Sequence, residues 1–143
     1  MTNKVLVIDD DFAITELMGM LLRTHGFEAI TTNSGAEGIR LAEERKPHII
    51  LLDLMMPDVD GWQVCKAIRR FTASPILVLS AIHDPRMVAS VLDLGADDFL
   101  VKPVPSGVLM AHIRKMVRRT GSFGANQAGS ELSSSKNASP ILN

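Results

Sequence analysis

Residues 48–61 read HIILLDLMMPDVDG, and the fold turns on how this stretch is read. Ile49, Ile50, Leu51 and Leu52 form an unbroken apolar run of the kind found in a strand covered on both faces. The run ends in a carboxylate, Asp53, and an unpaired charge inside such a strand would cost on the order of several kcal/mol. The acid is therefore expected at the strand's C-terminal end, at the mouth of a cleft rather than in the core.

Working outward, four more short apolar runs alternate with segments of helical period. Val5–Ile8 and Ile76–Leu79 are continuous, as central parallel strands require, whereas Glu28–Thr32 and Phe99–Val101 are weaker or shorter and suit the edges. Ile14, Leu17, Met18, Leu21 and Leu22 make the stripe of a first helix, and Met18, Met20, Met110 and Met116 read as core packing. Ser34 to Glu37 has the form of a capping box, Asp84-Pro85 opens a fourth helix and Gly95 stops it. Val64, Cys65 and Ile68 stripe the third helix; Leu109, Ile113, Met116 and Val117 stripe the fifth. Five βα units with short connections predict an α/β fold, a doubly wound five-stranded parallel sheet with helices on both faces. Right-handed crossovers favour the strand order 2-1-3-4-5, which places a ligand crevice beyond the C-terminal ends of the first and third strands.

At 143 residues the chain suits one ordinary domain with a real core. A formal net charge of −1 gives no basic footprint for nucleic acid. No apolar run approaches the ~18 residues of a membrane helix, and the acid-rich start MTNKVLVIDDD does not read as a signal peptide. With Cys65 the single cysteine, no internal disulfide is possible. A cytoplasmic protein is expected. After Arg119 the chain turns rich in Gly, Ser and Asn, so 1–119 is expected to be the domain and 120–143 a flexible tail or cut linker.

At the expected strand ends stand Asp9, Asp10 and Asp11, then Asp53, Ser80 and Lys102. Converging carboxylates repel unless one takes a proton or a cation joins them, and their hard oxygens suit Mg²⁺. An acid nucleophile, a divalent metal, an ammonium and a hydroxyl together make a phosphoryl-transfer site. Asp11 reads as a helix N-terminal acid, Asp58 and Asp60 as loop acids, and Gly61 as a turn and helix start. His25, His48, His83 and His112 show no metal-ligand spacing, and Cys65 reads as core. Trp62 is expected to be partly exposed near the acidic pocket.

The motifs VIDDD, LLDLMMPDVDG, LSA and LVKP, in this order and spacing, resemble the receiver domain of two-component response regulators, which has the flavodoxin-like fold. GADDFLVKP followed by MVRR is similar to the subfamily whose receivers precede a winged-helix DNA-binding domain. The resemblance implies that Asp53 accepts a phosphoryl group from a phosphohistidine on a sensor histidine kinase or phosphotransfer protein. It implies Mg²⁺ ligation by Asp10, Asp9, Asp53 and the Met55 carbonyl, phosphoryl contact by Lys102 and Ser80, and a cis Lys102–Pro103 bond. Ser80 and Phe99 would be the switch pair, and helix 4, strand 5 and helix 5 the output face. Such a domain is a signalling module, its only activities self-phosphorylation and slow autodephosphorylation. The residues two after the phosphorylated Asp and the switch hydroxyl, here Met55 and Ile82, would govern how fast water attacks.

Within these 143 residues no DNA-binding domain follows, and Val88, Val108 and His112 stand where the subfamily has charges that pair across a dimer. Asp97, Asp98 and Arg119 remain on that face. The expected partners are therefore the kinase and an unknown output protein, with no nucleic acid or membrane contact by this chain, which is a monomer or weak dimer. A dehalogenase-type phosphatase would need a second Asp where Met55 stands, and a flavin carrier would need a neutral phosphate loop where three acids follow the first strand. A degenerate receiver that never takes phosphate would keep all these residues to no purpose.

Overall fold

The computed structural model describes residues 2–82 and 84–126, of which 120–126 are described in backbone only. His83 and residues 127–143, with most of the tail read from the sequence, lie outside the described residues. Five strands alternate with five helices: β1 Lys4–Ile8, α1 Phe12–Thr24, β2 Glu28–Thr32, α2 Gly35–Arg45, β3 Ile49–Asp53, α3 Gly61–Arg69, β4 Ile76–Ser80, α4 Pro85–Asp93, β5 Asp98–Val101 and α5 Ser106–Asn126. All neighbouring strands pair in parallel, in the order β2-β1-β3-β4-β5. Helix α5 continues seven residues beyond Arg119.

Strand alternation sorts the core into two layers. Leu6, Ile8, Ile50, Leu52, Ile76 and Val78 point to the face covered by α2, α3 and α4, where Ala42, Val64, Cys65, Ile68 and Val91 meet them. Val5, Val7, Ile49, Leu51, Leu77 and Leu79 point the other way, onto Leu22 of α1 and Leu109, Met110, Ile113 and Met116 of α5. Each fully buried side chain of this size contributes about 1.5–3 kcal/mol, so the two layers outweigh any surface ion pair. Burial also raises the pKa of the Cys65 thiol, which keeps it protonated and inert.

The first helix departs from its expected stripe. Its buried line is Thr15, Gly19 and Leu22, flanked by Met18 and Leu21. Leu17 and Met20, expected inside, are each 62% exposed, because they lie to the side of that line. Thr15 is tied down there, its hydroxyl donating to the Phe12 carbonyl and accepting from Asn33. The capping box is also only half closed: Ser34 Oγ accepts from the Glu37 N–H, but the Glu37 carboxylate takes the Thr32 hydroxyl instead of the Ser34 N–H. The Thr32 hydroxyl oxygen accepts from that N–H in its place.

The turn after β3 depends on Gly61. Its N–H donates to the Leu54 carbonyl, and a Cβ on it would lie 2.6 Å from Leu54 Cα. No side chain fits, and the obstacle is backbone that cannot swing aside. Gly61→Ala is expected to destabilise the protein by about 2–3 kcal/mol, read by urea denaturation. A loss below ~0.5 kcal/mol would mean that the turn opens freely.

Candidate functional site

Every acid at the sheet's C-terminal edge is placed by the strand or helix it borders. Asp9 follows β1 directly, is 2% exposed, and its Oδ1 accepts the N–H of Asp11 at 3.0 Å. Asp11 turns away to cap α1, accepting from the N–H groups of Ala13 and Ile14. Asp10 between them points to solvent. Asp53 is the last residue of β3 and is only 6% exposed, deeper than a cleft-mouth acid should be. The reason is that β4 reaches as far as β3 does, pairing Asp53 with Leu79, so the carboxylate forms the floor of the cleft. Ligand oxygens of Asp9, Asp10 and Asp53 all lie within 4.8 Å of one another.

Lys102 closes the cluster from β5. Its Nζ is 2.9 Å from Asp9 Oδ2 and 3.6 Å from Asp53 Oδ1, and its N–H donates to the Ser80 carbonyl at 2.9 Å. The bond from Lys102 to Pro103 is cis, as the resemblance implied. Ser80 is fully buried, and its Oγ accepts the Ile82 N–H at 3.2 Å. Phe99 is half-buried and packs on the α2–α3–α4 face of the sheet.

Burial, and then the Asp9 charge, push the Asp53 carboxyl up to about 6, against the opposing pull of Lys102 and of the Met55 N–H. Burial also works against the Lys102 ammonium, but its hydrogen bond to Asp9 and the charges of both acids outweigh this and raise its pKa. The site is thus overloaded with negative charge, and its hard oxygens form a donor set that fits a small divalent cation.

The structure also uses residues that the sequence left as bland. Asp58 is not an idle loop acid: its carboxylate accepts from Ser34 Oγ at 3.0 Å and from the Gly35 and Ala36 N–H groups at the start of α2. The Gly35 bond leads in lowering its pKa. Asp60 caps α3 through the Trp62 N–H, and Trp62 in turn donates its indole N–H to Ser90 of α4 at 3.1 Å. Asn33 donates to the Asp9 carbonyl and to Thr15 Oγ1. Its position, one past the strand that neighbours β1, was the available clue; Asp58 had none.

Two of the acids left on the α4–β5–α5 face have partners within the chain. Asp97 Oδ2 accepts from Arg69 Nη2 at 2.7 Å and from the Ile76 N–H at 2.8 Å. Asp98 takes the Phe99 N–H and lies 3.7 Å from His112. Asp97, which the sequence left available to a partner chain, instead ties the turn before β5 to the end of α3.

The response regulator receiver domain model matches residues 5–114. The chain is 43% identical over 116 residues to the transcriptional regulatory protein AfsQ1 of Streptomyces coelicolor, covering 81% of this chain and 52% of that protein. It is 35% identical over 119 residues to the DNA-binding response regulator MtrA of Mycolicibacterium paratuberculosis, covering 83% and 53%. The chain thus spans about half the length of these relatives. Among solved structures, a two-component response regulator from Clostridium difficile superposes with a TM-score of 0.81 at 29% identity, over 83% of this chain and 98% of that one. The BeF3-activated receiver domain of RstA from Klebsiella pneumoniae gives 0.77 at 28%, over 81% and 99%.

The raised Asp53 pKa has a consequence for stability. The folded protein holds this proton more tightly than the unfolded chain does. The group's stabilising contribution is therefore full below the ordinary value of 3.8 and is lost as pH rises towards about 6. At pH 7 in chelator, Asp53→Asn should be more stable than wild type by about 2 kcal/mol. The gain should vanish near pH 4. Urea denaturation at the two pH values reads it; a variant no more stable at pH 7 would place the repulsion elsewhere.

Proposed function

Because the chain belongs to the response regulator receiver family, we propose that Asp53 is its phosphoacceptor, loaded from a phosphohistidine of a sensor kinase or phosphotransfer partner. The observation that carries this reading is the cleft floor itself: a buried carboxylate 3.6 Å from an ammonium, with two more acids converging on it. An Asp53 oxygen attacks phosphorus, the P–N bond breaks, and its electron pair leaves with the imidazole. At pH 7 an acid with a pKa of about 6 is mostly ionised and ready to attack. Lys102 lies where it can hold a phosphoryl oxygen, and the Ser80 hydroxyl can donate to another.

Asp9, Asp10, Asp53 and the Met55 carbonyl are the groups that would hold Mg²⁺. When bound, it would supply positive charge against the phosphoryl oxygens and offset the crowded carboxylates. Ser80 turning towards the phosphoryl group, with Phe99 following inward, would carry the change from the cleft to the α4–β5–α5 face. The Ser80 carbonyl already shares a hydrogen bond with Lys102, so a shift at one is felt at the other.

The family consists of signalling modules, so self-phosphorylation and slow hydrolysis are the only reactions proposed for this chain. No helix among the described residues is long and apolar enough to cross a membrane. A cytoplasmic site of action is proposed from the family, whose signalling modules are loaded by a kinase. Asp97 is engaged by Arg69 and Asp98 lies beside His112, so two of the acids on the α4–β5–α5 face already have partners within the chain. A monomer or weak dimer that presents this face to an output protein fits that surface, with no nucleic acid contact by the chain itself.

Intact mass after incubation with acetyl phosphate and Mg²⁺ tests the assignment. Wild type should gain one phosphoryl group and Asp53→Asn none, while the variant keeps its fold. A full mass shift in the variant would place the nucleophile elsewhere.

Hydrolysis rate tests the surroundings of the site. Met55 and Ile82 flank it with side chains 45% and 53% exposed, neither able to orient a water by hydrogen bonding. The phosphoryl group should be long-lived, and the double variant Met55→Asn with Ile82→Glu should lose it about tenfold faster, within the range of a positioned acid–base group. Equal or slower decay would contradict this role.

A further inference from the structure

Among the described residues, the two loops that carry the proposed metal ligands share no direct hydrogen bond beyond their roots, where β1 pairs with β3. Asp9 and Asp10 sit on the β1–α1 loop; Asp53 and Met55 lead into the β3–α3 loop. Like charges within 4.8 Å push these loops apart when no cation is bound. Lys102 reaches an acid on each, and outside the cluster the segment Thr32–Ala36 between β2 and α2, which contributes no acid to it, bonds to both loops.

At one end this segment grips the β1–α1 loop. The Thr32 carbonyl accepts the Asp9 N–H at 3.2 Å, and Asn33 Nδ2 donates to the Asp9 carbonyl at 2.9 Å and to the buried Thr15 hydroxyl at 3.0 Å. The Asp9 carbonyl belongs to the peptide that leads into Asp10, so Asn33 sets the direction in which Asp10 departs. At the other end it grips the β3–α3 loop. Asp58 accepts from Ser34 Oγ and the N–H groups of Gly35 and Ala36, where the helix dipole favours a carboxylate. Gly35 is bare against Met56, Val59 and Val64, which leaves no slack between helix and loop. Within the segment, Thr32 Oγ1 accepts the Ser34 N–H and donates to Glu37, so the two grips are joined by short bonds.

We propose that the segment Thr32–Ala36 is a yoke, with Asn33 and Asp58 as positioning residues that hold the two ligand-bearing loops at cation-binding distance. Neither residue touches the cation; each acts through the loop it holds. The inference rests on the acidic cluster being a Mg²⁺ site, as proposed above.

Mg²⁺ alone is the probe, titrated into the protein and followed by backbone amide shifts at a temperature where each variant is folded. Asn33→Ala and Asp58→Ala should each weaken Mg²⁺ binding by about tenfold, the scale of lost outer support at a metal site. Asp58→Asn, which keeps an acceptor oxygen, should fall between Asp58→Ala and wild type. Because the two grips act in series, the double variant should be no weaker than the weaker single one. Asp84→Ala removes a comparable helix cap from α4, to which the yoke makes no hydrogen bond among the described residues, and should bind Mg²⁺ as wild type does. A metal-free readout accompanies these: the Asp11 and Met55 amides, held by the Asp9 and Asp53 carboxylates, should exchange hydrogen faster in the yoke variants.

Wild-type affinity in both single variants overturns the yoke, as does an additive loss matched by Asp84→Ala. If wild type binds no Mg²⁺, or Asp10→Ala binds it equally well, the metal-site reading itself falls and takes the yoke with it. If Asp10→Ala fails to bind while the yoke variants bind normally, the yoke alone is overturned.

Discussion

Asp9, Asp10 and Asp53 converge within 4.8 Å, and Lys102 is the one ammonium among the described residues paired with any of them. Two unit charges at about 4–5 Å and an effective dielectric near 20 interact by about 3–4 kcal/mol. Lys102, at 2.9 Å from Asp9 and 3.6 Å from Asp53, offsets a sum comparable to the three acid–acid repulsions, so the balance depends on that one ammonium staying in place. The rest of the molecule is arranged so that this repulsion does not open the sheet. Below about pH 6 part is relieved chemically, as Asp53 takes up a proton. The remainder is resisted mechanically.

The mechanical side comes from the sheet. β1, β3 and β4 are buried almost without exception, and their ends are the points at which Asp9, Asp53 and Ser80 emerge. A strand packed on both faces cannot slide freely, since a slip would carry Asp9 or Asp53 into the apolar layers and misfit side chains packed into two different cores. The acids are therefore fixed to a rigid edge, while the turns after them are pinned by Gly61, Asp58 and Asn33. A site that must receive a highly charged group gains from this arrangement, because little has to reorganise when the charge arrives.

The architecture and the cluster were legible in the sequence for one shared reason. Central strands need long apolar runs, and a charge can end such a run only at an edge, so Ile49–Asp53 and Val5–Asp9 announce both strand and site. What escaped was everything set by packing between helices and loops. Leu17 and Met20 satisfy a helical period yet face solvent, while the buried line of α1 runs through Thr15, Gly19 and Leu22, two of which an apolar stripe does not count. Asp58 looks like any loop acid until α2 is seen to begin beneath it. The depth of Asp53 depended on how far β4 extends, which no local pattern encodes.

Arg69 shows how the far side of the molecule is tied to the same frame. Its guanidinium donates to the carbonyls of Thr72, Ser74 and Gly95 and to Asp97, gathering the end of α3 and the turns that enter β4 and β5. Gly95 is the turn residue after α4, at a φ of +114°, where a Cβ would run into the Arg69 side chain. The base of α4 is thus anchored through its neighbours. Trp62 adds a bond to Ser90 midway along the helix, and the first turn of α4 is held by the Asp84 cap. Ser80 and Ile82 stand between that first turn and the acidic cluster, with the Ser80 hydroxyl holding the Ile82 N–H. A rearrangement of that hydroxyl would release the chain leading into α4 at its N-terminal end while Arg69 holds the other, so a change at the cleft would tilt the helix rather than unfold it.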